Sequence, residues 1–194
     1  DINECIYEIK KKDGDIISYT PVELSKYAPE SGKALFFYED RKNNIWIATE
    51  RYLLIKHYNE KKLRIVSQIP GTITGITEDT RGSIWISTKN SGIYIFPVSQ
   101  TLTTDNYQQL HLTKESGELV SNHVESICAD INGKVWMGTK EGHIIVYDIV
   151  EKVFNDISKS LILFSEGIIS LTTDYHGHIW ILTDKRVIEY NPYT

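Results

Sequence analysis

An all-β fold of repeated four-stranded antiparallel sheets follows from three features of this sequence. A ten-residue pattern reads Asp, two variable residues, Gly or Asn, one variable residue, Ile or Val, Trp, Ile or Met, one residue, Thr. It occurs four times, at Asp40 to Thr49, Asp79 to Thr88, Asp130 to Thr139 and Asp174 to Thr183. All 4 tryptophans of the chain stand at the same place in it, and they are separated by 39, 51 and 44 residues. That spacing is the length of one blade of a β-propeller, in which each repeat forms one sheet.

The elements follow in order within each repeat. In the third copy, Ser126-Ile127-Cys128-Ala129 is a short apolar strand, Asp130-Ile131-Asn132-Gly133 a turn, and Lys134 to Thr139 a second strand. An Asp at the start of a turn accepts hydrogen bonds from amides further along it. The residue three later must tolerate positive φ. Gly82, Gly133 and Gly177 do so without a Cβ clash, and Asn43, in the first copy, is the next most tolerant residue. The second strands are apolar on both faces: Ile45-Trp46-Ile47, Ile84-Trp85-Ile86, Val135-Trp136-Met137 and Ile179-Trp180-Ile181. Such a strand must be covered on both sides, as a blade is by its two neighbours. The next residue is small in three copies, Ala48, Ser87 and Gly138, where blades crowd. Leu182 breaks this pattern and predicts a locally different last blade.

Third strands are expected at Tyr52 to His57, Gly92 to Phe96, His143 to Tyr147 and Arg186 to Tyr190. Outer strands, which face more solvent and are less strongly apolar, are expected at Leu63 to Gln68, Tyr107 to Leu112 and Val153 to Ile157. At the N-terminus, Glu4 to Lys10, the turn Lys12 to Asp15, and Ile16 to Thr20 read as the outer half of a blade. The expected organisation is one propeller segment: a half blade in residues 1–20, blades in residues 33–68, 73–112 and 124–157, and an incomplete blade in residues 168–194. The sole helical signal is a single turn in Val22 to Tyr27.

Composition sets the limits. With 41% hydrophobic and 24% charged residues the chain can bury a substantial core, and it is not of a disordered class. A net charge of -5 argues against phosphate-based nucleic-acid binding, and Lys10 to Lys12 reads as a solvated hairpin end. No stretch reaches the roughly 18 apolar residues of a membrane span; Ser160 to Ser170 is interrupted by Ser165, Glu166 and Gly167. Starting at Asp1 without an initiator Met or signal peptide, the chain reads as a piece of something longer. Cys5 and Cys128, in apolar strands, read as buried thiols.

The repeat, a strand followed by Asp-x-x-Gly-x-Ile-Trp-Ile-x-Thr and then Gly-x-Ile-x-x-Tyr, resembles the two-component regulator propeller repeat. Leu119 to Ile127 resembles that family's entry into the first strand. The resemblance spans nearly the whole chain. It implies an extracytoplasmic, periplasmic segment of a hybrid two-component histidine kinase, as found in Bacteroidetes. Such a segment is anchored in the membrane only through its parent protein, detects carbohydrate breakdown products and has no cofactor or enzymatic role of its own. Family members carry about seven blades, more than this length supplies. The uncovered faces of the end blades therefore predict self-association, with the parent's other blades as the intramolecular partners.

The loops before the first strand and between the second and third strands share one face of a propeller, and ligands commonly bind there. Candidates on it are Thr72, Thr74, Glu166 and the turns Glu50-Arg51-Tyr52, Lys89-Asn90-Ser91, Lys140-Glu141 and Asp184-Lys185-Arg186. An oligosaccharide-binding role is expected of Arg51, Tyr52, Asn122, His123 and Lys140, which combine an aromatic face with planar hydrogen-bonding groups and charge. Asp40, Trp46, Asp79, Trp85, Asp130, Trp136, Asp174 and Trp180 recur with the repeat and are read as structural. The 6 histidines form no metal motif, and no metal is expected. His176-x-His178 lies beside Asp174, but the turn already accounts for that Asp. There is no Gly-x-Ser-x-Gly elbow, no phosphate loop and no isolated acid pair. Two alternatives stay open: a propeller enzyme, either a polysaccharide lyase or a quinone-dependent dehydrogenase, and a protein-interaction platform.

Overall fold

The computed structural model describes residues 5–12, 15–97, 108–161 and 166–193, with side chains from residue 22 onward. Asp13 and Gly14 of the expected hairpin turn, Tyr107 and Ser165 fall outside these ranges, as do the side chains of Cys5 and Lys10 to Lys12. Seventeen strands and one short 3-10 turn, Leu24–Lys26, make up the regular structure of the described residues. The strands form three four-stranded sheets, one three-stranded sheet and one two-stranded sheet. Every described pairing is antiparallel. This is the blade architecture that the repeat predicts.

The chain divides into two compact units, Asp1–Ile69 and Pro70–Thr194. The first holds the hairpin β1 (Cys5–Lys12) and β2 (Asp15–Glu23), then the sheet of β3 (Ala34–Glu39), β4 (Ile45–Thr49), β5 (Tyr52–Lys56) and β6 (Leu63–Gln68). Its core joins Leu24 and Ala28, in and after the 3-10 turn, to Ile47, Leu54 and Leu63 of the sheet.

The second unit holds β7 (Ile73–Glu78), β8 (Ile84–Thr88), β9 (Ile93–Phe96) and β10 (Leu110–Leu112). After these come β11 (Val124–Ala129), β12 (Lys134–Thr139), β13 (Ile144–Asp148) and β14 (Val153–Asp156). The last three strands are β15 (Ile168–Thr173), β16 (Ile179–Thr183) and β17 (Val187–Tyr190). The two-sided apolar strands explain how its blades stack. Val135 and Met137 of β12 join a cluster with Trp85, Ile93 and Ile95 of the preceding blade. Trp136, between them in sequence, joins Ile168, Leu171, Ile179 and Ile181 of the following one. Each of these tryptophans meets a third-strand tyrosine of the next blade: Trp85 and Tyr147 have ring centroids 5.3 Å apart, Trp136 and Tyr190 5.7 Å.

Hydrogen bonds between inner strands add direction to this packing. Thr74 Oγ1 donates to the Val124 carbonyl at 2.5 Å, the Ala129 amide donates to Thr77 Oγ1 at 3.1 Å, and the Leu171 amide donates to Ser126 Oγ at 2.9 Å.

The last sheet of the chain differs from the others in exposure. Trp46, Trp85 and Trp136 are 2% exposed, whereas Trp180 is 37% and Leu182 40% exposed. Trp180 and Leu182 share the open face of this three-stranded sheet with their cross-strand partners Glu189 and Val187.

The turn between the first two strands is built as the sequence implies, with one bond in addition. Asn43, Gly82, Gly133 and Gly177 all have positive φ, between 61° and 84°. In every copy Oδ1 of the Asp accepts two amides of its own turn; Asp130 takes those of Asn132 and Lys134, both at 2.9 Å. Oδ2 accepts the indole N–H of the Trp six residues on, at 2.9 Å in the first three copies and 3.1 Å in the fourth. The motif Asp thus fixes the turn and the orientation of the buried indole together. The motif Thr closes the opposite end. Thr88 Oγ1 donates to the Gly92 carbonyl and accepts the Ser91 amide, Thr49 does the same in its own turn, and Thr183 Oγ1 accepts the Arg186 amide.

Candidate functional site

The end of the second unit opposite the Asp turns gathers most of the expected ligand-face residues. The loop entering each blade threads between two turns that join second and third strands. Asn122 accepts the Gly92 amide of the preceding blade through its carbonyl at 3.0 Å, while the His123 carbonyl accepts the Lys140 amide of its own blade at 3.1 Å. One blade on, the Gly167 carbonyl accepts the Asp184 amide at 3.1 Å. Gly142 there passes so close to the Glu166 carbonyl that a Cβ would lie 2.5 Å from its oxygen. Backbone bonds therefore set the spacing of Asn122, His123, Lys140, Glu166 and Arg186.

A β-bulge at the same point of every inner strand adds a variable position. The register shifts between Ile73 and Gly75, Val124 and Ser126, Ile168 and Ser170, and Ala34 and Phe36. The bulged residues are Thr74, Glu125, Ile169 and Leu35. A bulge re-aims its side chain away from the strict alternation of the strand, and the four copies place a hydroxyl, a carboxylate and two aliphatic side chains there.

Several of the expected residues hold one another. The Asn122 side chain is engaged at both ends, accepting the Lys114 amide at 2.8 Å and donating to Glu115 Oε2 at 2.8 Å. His123 Nε2 lies 2.8 Å from Oε1 of the bulged Glu125. Glu141 faces the same cluster. Desolvation works to raise its pKa, but hydrogen bonds from Ser121 and Thr139 and the nearby His123 outweigh it and hold the carboxyl below its ordinary range. Glu166, 8% exposed, receives Arg186 Nε at 3.1 Å and lies 2.9 Å from Thr183 Oγ1. Arg51 and Tyr52 belong to the first unit. Arg51 Nη1 pairs with Glu30 Oε2 at 3.1 Å on the surface, and Tyr52, half-buried, donates its amide to Thr49 Oγ1 at 2.9 Å.

Sequence reasoning picked out Asn122, His123, Glu166 and Arg186 singly but not Glu125, Glu141's neighbour Ser121, or the Glu166–Arg186 pair. The usable signal for the pair is positional, since Glu166 stands in the entry loop and Arg186 in the turn that the repeat places beside it. Cys128 is half-buried, and burial together with the Asp130 charge pushes its thiol up to about 12.

The Glu166 site carries a pH prediction. Partial desolvation opposes ionisation, but the hydrogen bonds from Arg186 and Thr183 and the charges of Arg186 and Lys185 prevail, so its folded pKa is lowered. A lowered carboxylate stabilises the fold above its unfolded value of about 4.3, and that contribution is lost as pH falls through the folded value. Urea midpoints measured from neutral pH down to the acid limb should fall with pH in the native chain. They should fall less steeply in Glu166→Gln. An identical slope in both proteins would remove Glu166 from the acid response.

Sheets of this topology, repeat and blade packing define a propeller segment. Residues 67–90 and 118–141 match the model of the two component regulator propeller family. None of the curated proteins compared matches it. Among solved structures it is similar to two extracellular domains assigned to hybrid two component systems of B. thetaiotaomicron. The first has a TM-score of 0.66 and 21% identity over 83% of this chain, and the second 0.57 and 21% over 83%. The chain spans 23% and 28% of those domains. It is also similar in fold to virginiamycin B lyase from Staphylococcus aureus, with a TM-score of 0.68 and 14% identity over 99% of this chain and 64% of that one.

Proposed function

We propose that this chain is a ligand-binding propeller segment of an extracytoplasmic two-component receptor, sensing an oligosaccharide and signalling to a histidine kinase. The observation that supports it is the match of two repeats to the regulator propeller model. The entry-loop end of the second unit is the surface offered to the ligand. It presents His123 with Glu125, Glu141, the Lys140 turn and the Glu166–Arg186 pair, a mixture of donors and acceptors suited to the hydroxyl groups of a sugar. None of these groups forms a nucleophile–base pair, in keeping with binding rather than catalysis.

Lys140 and His123 sit on adjacent loops tied by a backbone bond, so they act as one patch. Asn122 shapes that patch through its loop bonds rather than by a free amide. The test is calorimetry of the parent receptor with a panel of oligosaccharides, for the native protein and for His123→Ala with Lys140→Ala. Heat of binding that falls at least about tenfold in affinity in the double variant is the expected result. No heat with any glycan, or an unchanged affinity, counts against the reading.

A further inference from the structure

We propose that Asp174, His178 and Glu189 form a binding site for a divalent transition-metal ion of the zinc class. The site lies on the Asp-turn side of the last blade, away from the entry loops. Its framework is the repeat turn itself, in which Asp174 Oδ1 accepts the amides of His176 at 2.9 Å and His178 at 3.0 Å.

Two positions depart from the other copies, and they converge. The residue after the turn glycine is Ser83, Lys134 or His178, and Asn44 follows Asn43 in the first copy. The residue opposite the motif tryptophan on the third strand is Ile55, Ile95 or Val146 in the first three copies and Glu189 in the last. This register brings His178 Nδ1 to 2.7 Å from Glu189 Oε1 and 3.7 Å from Asp174 Oδ2. One nitrogen and two carboxylate oxygens, one from each residue, lie within 4.8 Å of one another.

The chemistry asks for a cation. Asp174 Oδ2 already accepts the Trp180 indole N–H at 3.1 Å, and a cation at its remaining lone pair would offset the repulsion between the Asp174 and Glu189 carboxylates. Tetrahedral ligand atoms at about 2.0–2.2 Å from an ion stand roughly 3.4 Å apart, so the 3.7 Å pair is already near that spacing and the hydrogen-bonded 2.7 Å pair opens slightly to admit the ion. Imidazole nitrogen with carboxylate oxygens favours zinc, nickel or copper over calcium or magnesium, which take oxygen alone. The three side chains are 24%, 26% and 49% exposed, so an ion can enter from solvent and water can complete its shell. His176, on the same turn and tilted against Tyr175, has its ring centroid 5.8 Å from that of His178, within reach of the site after a rotamer change.

Reversion to residues that the repeat already uses tests the site without disturbing the fold. His178→Asn copies the first repeat and Glu189→Val the third. Zinc chloride is titrated calorimetrically into the chain in a non-chelating buffer, with circular dichroism confirming that both variants stay folded. One equivalent of zinc is expected to bind the native chain, weakened about tenfold or more in each variant. No binding up to about 1 mM zinc overturns the proposal, leaving an ordinary imidazole–carboxylate ion pair. Equal binding by the doubly substituted chain overturns it as well.

Discussion

Replacing Asp130 by alanine is expected to cost about 2–4 kcal/mol of stability, while the same change at Asp174 costs less than about 1.5 kcal/mol. Both carboxylates make the same three hydrogen bonds, two to turn amides and one to an indole N–H. What differs is access to water. The turn amides lie near solvent in both copies, so water replaces the lost Oδ1 at small cost. The Trp136 indole, 2% exposed, has no such substitute, and its N–H would be left buried and unpaired. Trp180, 37% exposed, can turn to solvent. Asp130→Asn should fall between the two, because an amide presents either its NH2 group to the indole donor or loses the Oδ1 geometry. Urea unfolding followed by circular dichroism on the three variants checks the order. Equal losses at Asp130 and Asp174 would show that the bond to tryptophan carries little of the effect.

The same contrast explains how much of this molecule was legible in its sequence. The turn was readable because its Asp and positive-φ residue act locally, within four positions of each other. The burial of Ile47, Ile86, Met137 and Ile181 beside their tryptophans is legible because a strand apolar on both faces has few ways to be covered. The bond from Asp to Trp is not legible in the sequence, although the two residues recur together in all four copies. Spacing of six along a turn and strand does not by itself say that one side chain reaches the other.

Less of the candidate site was visible, because its contacts run between loops that are distant in sequence. Glu166 and Arg186 meet across 20 residues, and Glu125 reaches His123 only because a bulge turns it there. Asp174, His176 and His178 share one turn and stand together in the sequence. Glu189 enters through strand register, which places it opposite Trp180.

Gly138→Ala should destabilise the second unit by about 1–2 kcal/mol, against the usual direction for removing a glycine from a strand. Alanine limits the unfolded chain, which favours folding by about 0.4–1 kcal/mol. A Cβ at Gly138, however, would lie 2.4 Å from Ile168 Cγ2 and 3.2 Å from Leu171 Cδ1, both in the inner strand of the following blade. Ile168 is 1% exposed and β-branched, so its χ1 is stiff and the methyl cannot swing aside cheaply. Overpacking of about 1–3 kcal/mol therefore exceeds the entropic gain. The neighbouring repeat supports the assignment by dividing the same space differently. Its register pair is Gly75 with Ser87, whereas here it is Ser126 with Gly138, so each blade interface holds one glycine and one serine. Ser126 is needed on its side, because its hydroxyl accepts the Leu171 amide. Leu182 occupies the equivalent place in the last blade, where that face is open. Ile168→Ala opens a cavity and is destabilising alone, yet it removes the atom that meets the new Cβ. The double variant should consequently lose at least about 0.5 kcal/mol less than the sum of the two single losses. Strict additivity in urea unfolding would mean that the small residue in this motif is not there to admit the next blade.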